Sequence, residues 1–592
     1  MNTFLKLYEI LISWLRSKLT PRQTLVFSSV IVGFTAGLFA VLLKLAVFYI
    51  HHFITHDYNI DYPYLMYMVF PTIGIFLSVI FVQYHLKGRF RKGTANVLHA
   101  IAKKSSFLKK DQMYSHLVTS ALTVGFGGSA GLEAPIVVTG AAIGSNFGKT
   151  HKINYNDRTL LVGCGAAAGI AAAFNSPIAG VLFALEVLLA DVTISAFIPL
   201  IIAAATGGLL SKIILQESTL LTFKSISPFD YHNVPYYLIL GLLAGLISVY
   251  YARVYLKIDT LWTRGKFNVY TKVLLGGSML AILILFFPSL FGEGYESIKI
   301  LSGDNPEKLF ENSILSNFLS NNCLIILFIL LTMFFKTIAA AITIGSGGNG
   351  GNFAPSLFVG AYLGFAFAKT INFLEITSLS ISNFTIVSMA GVLSGVMHAP
   401  LTAIFLIAEI TGGYELMIPL MIVSSSSYII SKYFEPFSMD LKRLAIKGEI
   451  FTADKDRNIL TSLKTSNLTE TDFQIVSPDE TLGTLIKTVA NSKRNIFPVV
   501  SNEKLVGVVV IDNIREIMFK HEMYDTVFVK EIMREPFAII TPEENMDSVM
   551  KKFDETGAWN LPVLKDGKYI GFISKTSIFI HYRNRLTKRI SE

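Results

Sequence analysis

The sequence predicts an all-α polytopic membrane domain followed by a smaller α/β domain. Of its 592 residues, 52% are hydrophobic and only 16% are charged, whereas about 25% of an ordinary soluble chain is charged. Apolar runs fill the first 440 residues, and several reach the roughly 20 residues that a helix needs to cross a bilayer core. Beyond residue 440, short β-type runs alternate with charged helical patterns, which is typical of βαβ units.

The charges lie mainly at the ends of the apolar runs, as they do in membrane proteins. Residues 1–24 are predicted to form an amphipathic helix, and the cations Lys6, Arg16, Lys18 and Arg22 place the N-terminus in the cytoplasm by the positive-inside rule. The net charge is +9. Because no basic patch is interleaved with aromatic residues, nucleic acid is not expected as a partner. Membrane lipid is expected as a partner, given the apolar runs.

Several chemistries are not expected from this sequence. The two cysteines, Cys164 and Cys323, lie in apolar stretches, which disfavours a disulfide scaffold or a cysteine-based zinc site. Neither the spacing of metal ligands nor a nucleophile with a matching base is found, so no metal and no enzymatic activity are expected.

Two internal repeats organise the chain. In the soluble part, the segments that begin at Ser477, Phe497 and Leu505 match those that begin at Thr541, Leu561 and Tyr569, all at an offset of 64. In the membrane part, Glu133–Gly144 aligns with Phe353–Gly364 at an offset of 220, and Pro177 and Glu186 align with Pro400 and Glu409 at an offset of 223. The first pattern indicates two copies of one module. The second is typical of a transporter built from repeats around a midplane site.

Each membrane repeat contains a glycine loop that leads into an apolar helix. Gly127–Gly131 precedes Pro135, and Gly345–Gly351 precedes Pro355, where proline suits the first turn of a helix. The first N–H groups of a helix lack internal partners and carry a partial positive charge. Two such helix starts, at Gly131 and Gly351, therefore indicate a site for a small anion. A phosphate site is disfavoured because neither loop has the Gly-Lys-Ser/Thr ending of a P-loop.

The motifs Gly131-Leu-Glu-Ala-Pro135 and Gly351-Asn-Phe-Ala-Pro355, followed by the tandem modules, resemble the CLC family of chloride channels and chloride/proton antiporters. The tail resembles a pair of cystathionine-β-synthase (CBS) domains, a Bateman domain. The resemblance implies an inverted-repeat membrane domain in the cell (inner) membrane and a cytoplasmic tail. It also implies a homodimer in which each subunit carries one pathway for chloride or a similar small anion.

These patterns give the expected domain boundaries. They are an N-terminal helix over 1–24, a transport domain over 25–440 with repeats at 25–215 and 235–440, a linker over 441–458, and CBS domains over 459–522 and 523–588.

The resemblance assigns roles to three residues of these motifs. Glu133 matches the family's gating glutamate, whose carboxylate competes with chloride and is displaced when it is protonated. A carboxylate at a helix start inside a membrane is costly unless it is functional. Phe353 matches the aromatic residue beside the central ion, and the backbone N–H groups of Asn352 and Phe353 match its ligands.

Two positions depart from the family pattern. The first family motif, Gly-Ser-Gly-Ile-Pro, corresponds to Arg91-Lys92-Gly93-Thr94-Ala95, so that Lys92 replaces the serine that coordinates the anion. The pore tyrosine falls on Asp440, with Ser438 as the competing alignment. One hypothesis pairs Lys92 with Asp440 across the inner mouth, because charges stripped of water need partners. The alternatives are direct binding of the anion by Lys92, or an ordinary loop lysine in a misplaced alignment.

A third departure concerns the mode of transport. Antiporters of the family pass protons through a second, inner glutamate, and this position holds Val187, which cannot carry a proton. The sequence therefore favours a passive channel gated by Glu133. A chloride/proton antiporter is the first alternative. An alternative of another class is a non-conducting membrane sensor whose pathway is closed by Lys92 and Asp440.

The tail lacks part of the signature for adenine nucleotides. The family's ribose aspartate is missing from both modules, although Asp512 lies one residue from the expected place, and Ser574 keeps the hydroxyl position in the second module. No cofactor is therefore expected to be required, nucleotide binding at the CBS pair is left open, and dimerisation with coupling to the pathway is the favoured role.

Overall fold

The computed structural model describes residues 20–56, 63–189, 196–216, 221, 223, 227–265, 267–301, 306–310, 313–315, 321–446, 460 and 463–591. Most of the predicted N-terminal helix and of the predicted linker lies outside these residues. The chain forms two compact units, Met1–Ile450 and Phe451–Glu592.

Helices make up the first unit in the part that the structure describes, apart from loops and one isolated backbone bridge. Its first half holds α1 (Pro21–His56), α2 (Pro63–Tyr84), α3 (Ala95–Lys103), α4 (Gln112–Gly125), α5 (Glu133–Thr150), α6 (Tyr155–Phe174), α7 (Pro177–Phe183) and α8 (Phe197–Leu215). Its second half holds α9 (Val234–Arg264), α10 (Val269–Phe286), α11 (Tyr295–Leu301), α12 (Asn322–Gly345), α13 (Phe353–Phe373), α14 (Ile381–Met397), α15 (Pro400–Thr411), α16 (Met417–Phe434) and α17 (Met439–Ile446). Eight helices of the described chain are long and apolar enough to cross a membrane.

Small residues bring the inner helices of this unit close together. A Cβ atom on Gly140 of α5 would collide with the backbone of Gly165 in α6, and the reverse collision would occur as well. Without a hydrophobic driving force in lipid, close backbone approach of this kind is a main source of helix–helix attraction. Helix α6 is buried along nearly its whole length and forms the centre of the first repeat.

The two repeats exchange equivalent contacts. Gly131 N donates to Gly351 O at 3.0 Å, and Gly351 N donates to Gly131 O at 2.7 Å, in an antiparallel bridge. Ser129 N donates to Thr343 Oγ1 at 3.2 Å, and Asn349 N donates to Thr123 Oγ1 at 3.0 Å. Each pair joins positions that are equivalent at the 220-residue offset, so a local two-fold axis relates the repeats. The starts of α5 and α13 consequently meet at one place.

The second unit is an α/β fold with one sheet. Strands β1 (Ile496–Ser501), β2 (Lys504–Val510), β3 (Asn560–Lys565) and β4 (Lys568–Ser574) are ordered β1-β2-β4-β3, and every neighbouring pair is antiparallel. The helices are α18 (Thr465–Leu468), α19 (Leu482–Asn491), α20 (Ile511–Ile514), α21 (Val529–Ile532), α22 (Met546–Thr556) and α23 (Lys575–Ser591).

The parallel pairing of the predicted βαβ units is limited to one bridge in each module. In the first module, Val476 forms a single parallel bridge with Val499, and α19 lies between them, while Ile540 and Val563 repeat this bridge in the second module. Most of the remaining pairing is in two tight hairpins, β1 with β2 and β3 with β4. The turn Asp566-Gly567 has two positive φ angles, 52° and 81°, which is the backbone shape that aspartate followed by glycine favours in two-residue hairpins.

Candidate anion pathway

The bridge between the repeats places Glu133 at the contact of the two helix starts. Glu133 is the first residue of α5, and its side chain is 3% exposed. Its Oε1 accepts a hydrogen bond from the Tyr295 hydroxyl at 2.7 Å, and its Oε2 lies 3.4 Å from the backbone N of Ala354 at the start of α13. Glycine is required at position 131, because an added Cβ would lie 2.9 Å from the Cβ of Ala354 and closer still to the Glu133 carboxylate.

A small enclosed cavity lies beside the Glu133 carboxylate. Its volume is about 20 Å³, which is room for roughly one water-sized species. It is lined by Lys92, Glu133, Asn352, Phe353 and Asp440, with Gly351 among its backbone neighbours. The structure therefore brings together residues that are far apart in the sequence and that the motifs single out. The ring of Phe353 packs against those of Phe174 and Phe183, at centroid distances of 5.4 and 6.3 Å.

Two larger cavities flank this point. One, of about 640 Å³, is lined by Lys44, Leu132, Glu293 and Tyr295, among others. The other, of about 520 Å³, is lined by Lys92 together with Arg91, Asp259 and Arg443. Lys92 lines both this cavity and the small one, whereas Tyr295 lines the first cavity and hydrogen-bonds Glu133. The small cavity thus shares Lys92 with the 520 Å³ cavity, and its Glu133 contacts a residue of the 640 Å³ cavity, Tyr295.

The predicted pair of Lys92 with Asp440 is not formed. Lys92 Nζ donates to the backbone O of Ile344 at 2.8 Å, near the C-terminal end of α12, and Asp440 accepts a hydrogen bond from the hydroxyl of Thr94. In the described part of the chain, no ion pair joins the two side chains. The C-terminal carbonyls of a helix attract a lysine amine because they lack partners and carry a partial negative charge. The ion pair of the hypothesis is therefore not present in this structure, although both side chains line the same small cavity.

Four residues of the site are not identified by sequence reasoning. Tyr255 and Arg443 line the small cavity, and Tyr295 and Glu293 adjoin Glu133 on the opposite side. Arg443 pairs with Asp259 at 3.0 Å. Tyr255 has a weak sequence signal, since it lies one helical turn after Tyr251 on α9, and Tyr251 donates to Asn352 Oδ1 at 3.2 Å. The hydroxyl groups of Thr94 and Tyr255 thus remain near the cavity despite the two departures from the family pattern.

Glu186, next to Val187, and its equivalent Glu409 in the other repeat have a structural role. Val187 is half-buried in a short π-helical turn, Ala184–Leu188, and packs against the core. Glu186, in the same turn, accepts hydrogen bonds from Leu401 N at 3.1 Å and Thr402 N at 2.7 Å. Reciprocally, Glu409 accepts from Ile178 N at 3.2 Å and Ala179 N at 2.9 Å. Each carboxylate therefore caps the first turn of the helix in the other repeat.

The candidate nucleotide residues of the tail have protein partners. Ser574 donates its hydroxyl to Glu470 Oε1 at 2.8 Å and accepts from Ser577 N at 3.0 Å. Asp512 pairs with Arg515 on the surface. Among the described residues of this unit, no hydrogen bond joins Asp512 to Ser574.

A helical unit with two repeats, whose glycine loops meet around a buried carboxylate, defines a class of polytopic membrane transport proteins. Residues 73–432 match the family model of voltage gated chloride channels, and residues 466–520 and 529–584 match CBS domains. Since the first match covers more than half of the chain, this chain belongs to the voltage gated chloride channel (CLC) family and carries two C-terminal CBS domains. CLC proteins are anion transporters or channels rather than enzymes.

Known proteins of the family are similar to this chain over most of their own length. A putative chloride channel protein, ClcB-like, from Ralstonia nicotianae is 29% identical over 61% of this chain and 81% of its own length. The H⁺/Cl⁻ exchange transporter ClcA of Vibrio vulnificus is 26% identical over 73% of this chain and 91% of its own length.

Solved structures share the fold. A slow cyanobacterial Cl⁻/H⁺ antiporter superimposes with a TM-score of 0.63 and 22% identity, over 72% of this chain and 98% of its own. A eukaryotic CLC transporter superimposes with a TM-score of 0.63 and 18% identity, over 96% of this chain and 98% of its own.

Proposed function

We propose that this chain transports chloride or a similar small anion through one pathway in each subunit of a homodimer, with Glu133 as the gate. The observation that carries the proposal is the position of the Glu133 carboxylate. It lines the 20 Å³ cavity, accepts a hydrogen bond from Tyr295, which lines the 640 Å³ cavity, and contacts the backbone N of Ala354, which is one of the N–H groups that an anion would use. Protonation of Glu133 would release it and open the route.

Asn352 and Phe353 are proposed to bind the anion through their backbone N–H groups. Lys92 is proposed to contribute positive charge at the junction of the small cavity and the 520 Å³ cavity. Asp440, which lines the same small cavity, would oppose an anion, and its hydrogen bond from Thr94 holds it at one wall. These two charges would set the selectivity among small anions.

Passive conduction is the proposed mode, because Val187 cannot carry a proton at the inner relay position. Coupled exchange with protons is the second candidate, and a specific observation favours it. Relatives such as the Vibrio vulnificus protein are named H⁺/Cl⁻ exchange transporters. In an exchanger of this sequence, protons would have to pass Val187 along water.

The reversal potential of the full-length protein in a planar bilayer distinguishes these modes. Under a chloride gradient, a channel gives the chloride equilibrium potential, and an added pH gradient leaves it unchanged. An exchanger gives a potential that the pH gradient displaces. Glu133→Gln, a neutral mimic of the protonated gate, should carry anion flux that no longer responds to acid. If neither wild type nor Glu133→Gln moved anions in proteoliposomes, anion transport itself would be excluded.

The proposed location is the cell (inner) membrane, with the N-terminus and the CBS domains in the cytoplasm. We propose that the CBS pair supports dimerisation and coupling to the pathway and that no nucleotide is required, since Ser574 and Asp512 already have side-chain partners. Flux measured with and without ATP on the tail side tests this. A change in flux that Ser574→Ala abolishes would contradict it.

A further inference from the structure

The small cavity and the 520 Å³ cavity share a wall of three residues. Lys92, Ile344 and Arg443 line both cavities. Lys92 lies in the loop before α3 and Arg443 lies on α17, and the two cations interact electrostatically. Like charges that are held near each other repel, and an anion close to both would offset that repulsion. This junction therefore has the charge that a small anion requires.

The 520 Å³ cavity carries an excess of positive charge. Among the described residues that line it, four are cations and one is a carboxylate, namely Arg91, Lys92, Arg264, Arg443 and Asp259. The excess remains after Asp259 has paired with Arg443. A cleft lined mainly by one sign of charge concentrates ions of the opposite sign. The cavity thus favours anions at the wall that it shares with the small cavity.

The guanidinium group of Arg443 is only partly satisfied by protein groups. Its Nη2 pairs with Asp259 Oδ2 at 3.0 Å and lies 3.4 Å from the Tyr255 hydroxyl. Its Nε is buried and has no hydrogen-bond partner among the described residues. Its Nη1 lies beside Gly93, where an added Cβ would be 3.7 Å away. Arginine has five N–H donors, and buried donors are nearly always paired. Arg443 therefore has donors available for a ligand at the junction.

Carboxylates oppose an anion at this place. In the described chain, three of them line the two cavities, namely Glu133, Asp259 and Asp440. Asp259 is the one that pairs with Arg443, and it also interacts electrostatically with Lys92. It consequently competes with an anion for the charge of the guanidinium group. Removal of the Asp259 charge should strengthen anion binding at the junction.

We propose that Arg443, together with Lys92, binds the transported anion at the junction of the two cavities, and that Asp259 limits the strength of this binding. The proposal rests on the proposed function, since it names a further ligand of the same pathway. The site differs from the one proposed at Asn352 and Phe353, because charged side chains supply the contacts. Conduction requires binding that is weak enough for release, and competition from Asp259 provides this.

The test is chloride binding to the detergent-solubilised full chain, measured by isothermal titration calorimetry. Arg443→Gln should raise the dissociation constant about tenfold or more, since it removes a hydrogen bond between charged groups. Asp259→Asn should lower the dissociation constant several-fold, and this gain should be smaller when Arg443→Gln is also present. Arg253→Gln is the matched control. It removes an ion pair with Glu435 from the same helix that carries Asp259, and it should leave chloride binding unchanged.

The direction of the two changes separates a ligand from a structural residue. If the pair of Arg443 with Asp259 only stabilised the fold, Arg443→Gln and Asp259→Asn would change chloride binding in the same direction or not at all. Either result would overturn the proposal, as would an effect of Arg253→Gln as large as that of Arg443→Gln. Failure of the proposed function looks different, because wild type and Glu133→Gln would then move no anions in proteoliposomes, whatever the binding results.

A second variant covers the case in which Arg443→Gln does not fold. Arg443→Lys keeps one positive charge but loses the planar fork of donors. It should raise the dissociation constant for chloride several-fold, and an unchanged constant would overturn the role of Arg443.

Discussion

Lys92 illustrates how a residue that looks out of place is accommodated. In the motif alignment it falls on the position of a serine, and an ammonium group that is partly removed from water is costly without a partner. The partner is the backbone O of Ile344, one residue before the end of α12. The helix end thus stabilises the cation, and Asp440 instead accepts a hydrogen bond from the Thr94 hydroxyl. A charge in the pathway therefore does not require an opposite charge across it.

Tyr295→Phe should increase anion flux at neutral pH. The tyrosine hydroxyl donates to the Glu133 carboxylate at 2.7 Å, and a hydrogen bond to a charged group contributes about 1.5–3 kcal/mol. Its loss should make opening of the gate roughly tenfold more frequent, as chloride efflux from proteoliposomes would report. Tyr250→Phe is the control, because that hydroxyl donates only to a helix carbonyl, Phe334 O. Equal flux in the two variants would show that Tyr295 does not hold the gate.

Lys92→Gln and Asp440→Asn should act independently on stability. The two side chains have separate partners, so, although both line the small cavity, the coupling between their effects on thermal unfolding in detergent should be smaller than that of an ion pair. The control cycle combines Arg443→Gln with Asp259→Asn, whose side chains form an ion pair at 3.0 Å and should show coupling. Coupling between Lys92 and Asp440 as large as that of the control would support the hypothesis that the two side chains form a paired gate.

At the scale of elements, helix starts in this protein are closed by residues from distant parts of the chain. Helix α15 begins at Pro400 and receives the carboxylate of Glu186, and α7 begins at Pro177 and receives that of Glu409. A carboxylate at the N-terminal end both satisfies free N–H groups and interacts with the helix dipole. Each of the two short helices is therefore stabilised by a carboxylate from the other repeat.

Glu186→Gln and Glu409→Gln should lower thermal stability by similar amounts. Each removes a charged cap, which is worth about 1 kcal/mol. The midpoint of unfolding in detergent should fall by a few degrees in both, while Glu415→Gln, at an exposed position of the same unit, should leave it unchanged. A large loss of transport from Glu186→Gln without loss of stability would instead indicate a direct role of Glu186 in transport.

In the second CBS domain, Glu544 should make stability depend on pH. Burial opposes its charge, but hydrogen bonds from Lys552 and Ser548 outweigh burial and hold the pKa of the Glu544 carboxyl below its usual value. Its contribution is therefore present above the pKa of the unfolded chain and is lost as the pH falls through the lower, folded pKa.

Glu544→Gln should thus lower the unfolding temperature of the second unit at pH 7, and the difference from wild type should begin to shrink as the pH falls below the usual glutamate pKa of about 4.3 and vanish below the lower, folded pKa. Calorimetry of the full chain provides the measurement. Glu555→Gln is the control, because its pair with Lys551 is exposed on both sides. A difference that does not change with pH would contradict the argument.

At the scale of the whole membrane unit, the two repeats stabilise each other at their glycine loops. Thr123 Oγ1 accepts from Asn349 N, and Thr343 Oγ1 accepts from Ser129 N. Each threonine thus supplies an acceptor to a buried backbone group of the other repeat. The loops that shape the candidate pathway consequently depend on both halves of the chain.

Thr123→Val and Thr343→Val should destabilise the protein by similar amounts, about 1–3 kcal/mol each, because each leaves a buried N–H group without a partner. Thermal unfolding in detergent measures the loss. Thr332→Val is the control, since the buried Thr332 hydroxyl bonds only to the carbonyl of Phe328 one turn earlier. A control as unstable as the other two would mean that the contacts between the repeats contribute little.

By itself, the sequence determined the class of the protein, the two repeats and the position of Glu133, because hydrophobic length, repeated motifs and glycine loops are local patterns. The resemblance to the family also singled out Lys92, Asn352, Phe353 and Asp440. Which side chains line the small cavity, however, depends on the tertiary structure. Tyr295 lies 162 residues from Glu133, and Ile344 lies 252 residues from Lys92. Such contacts depend on how helices cross, and no spacing along the chain encodes this.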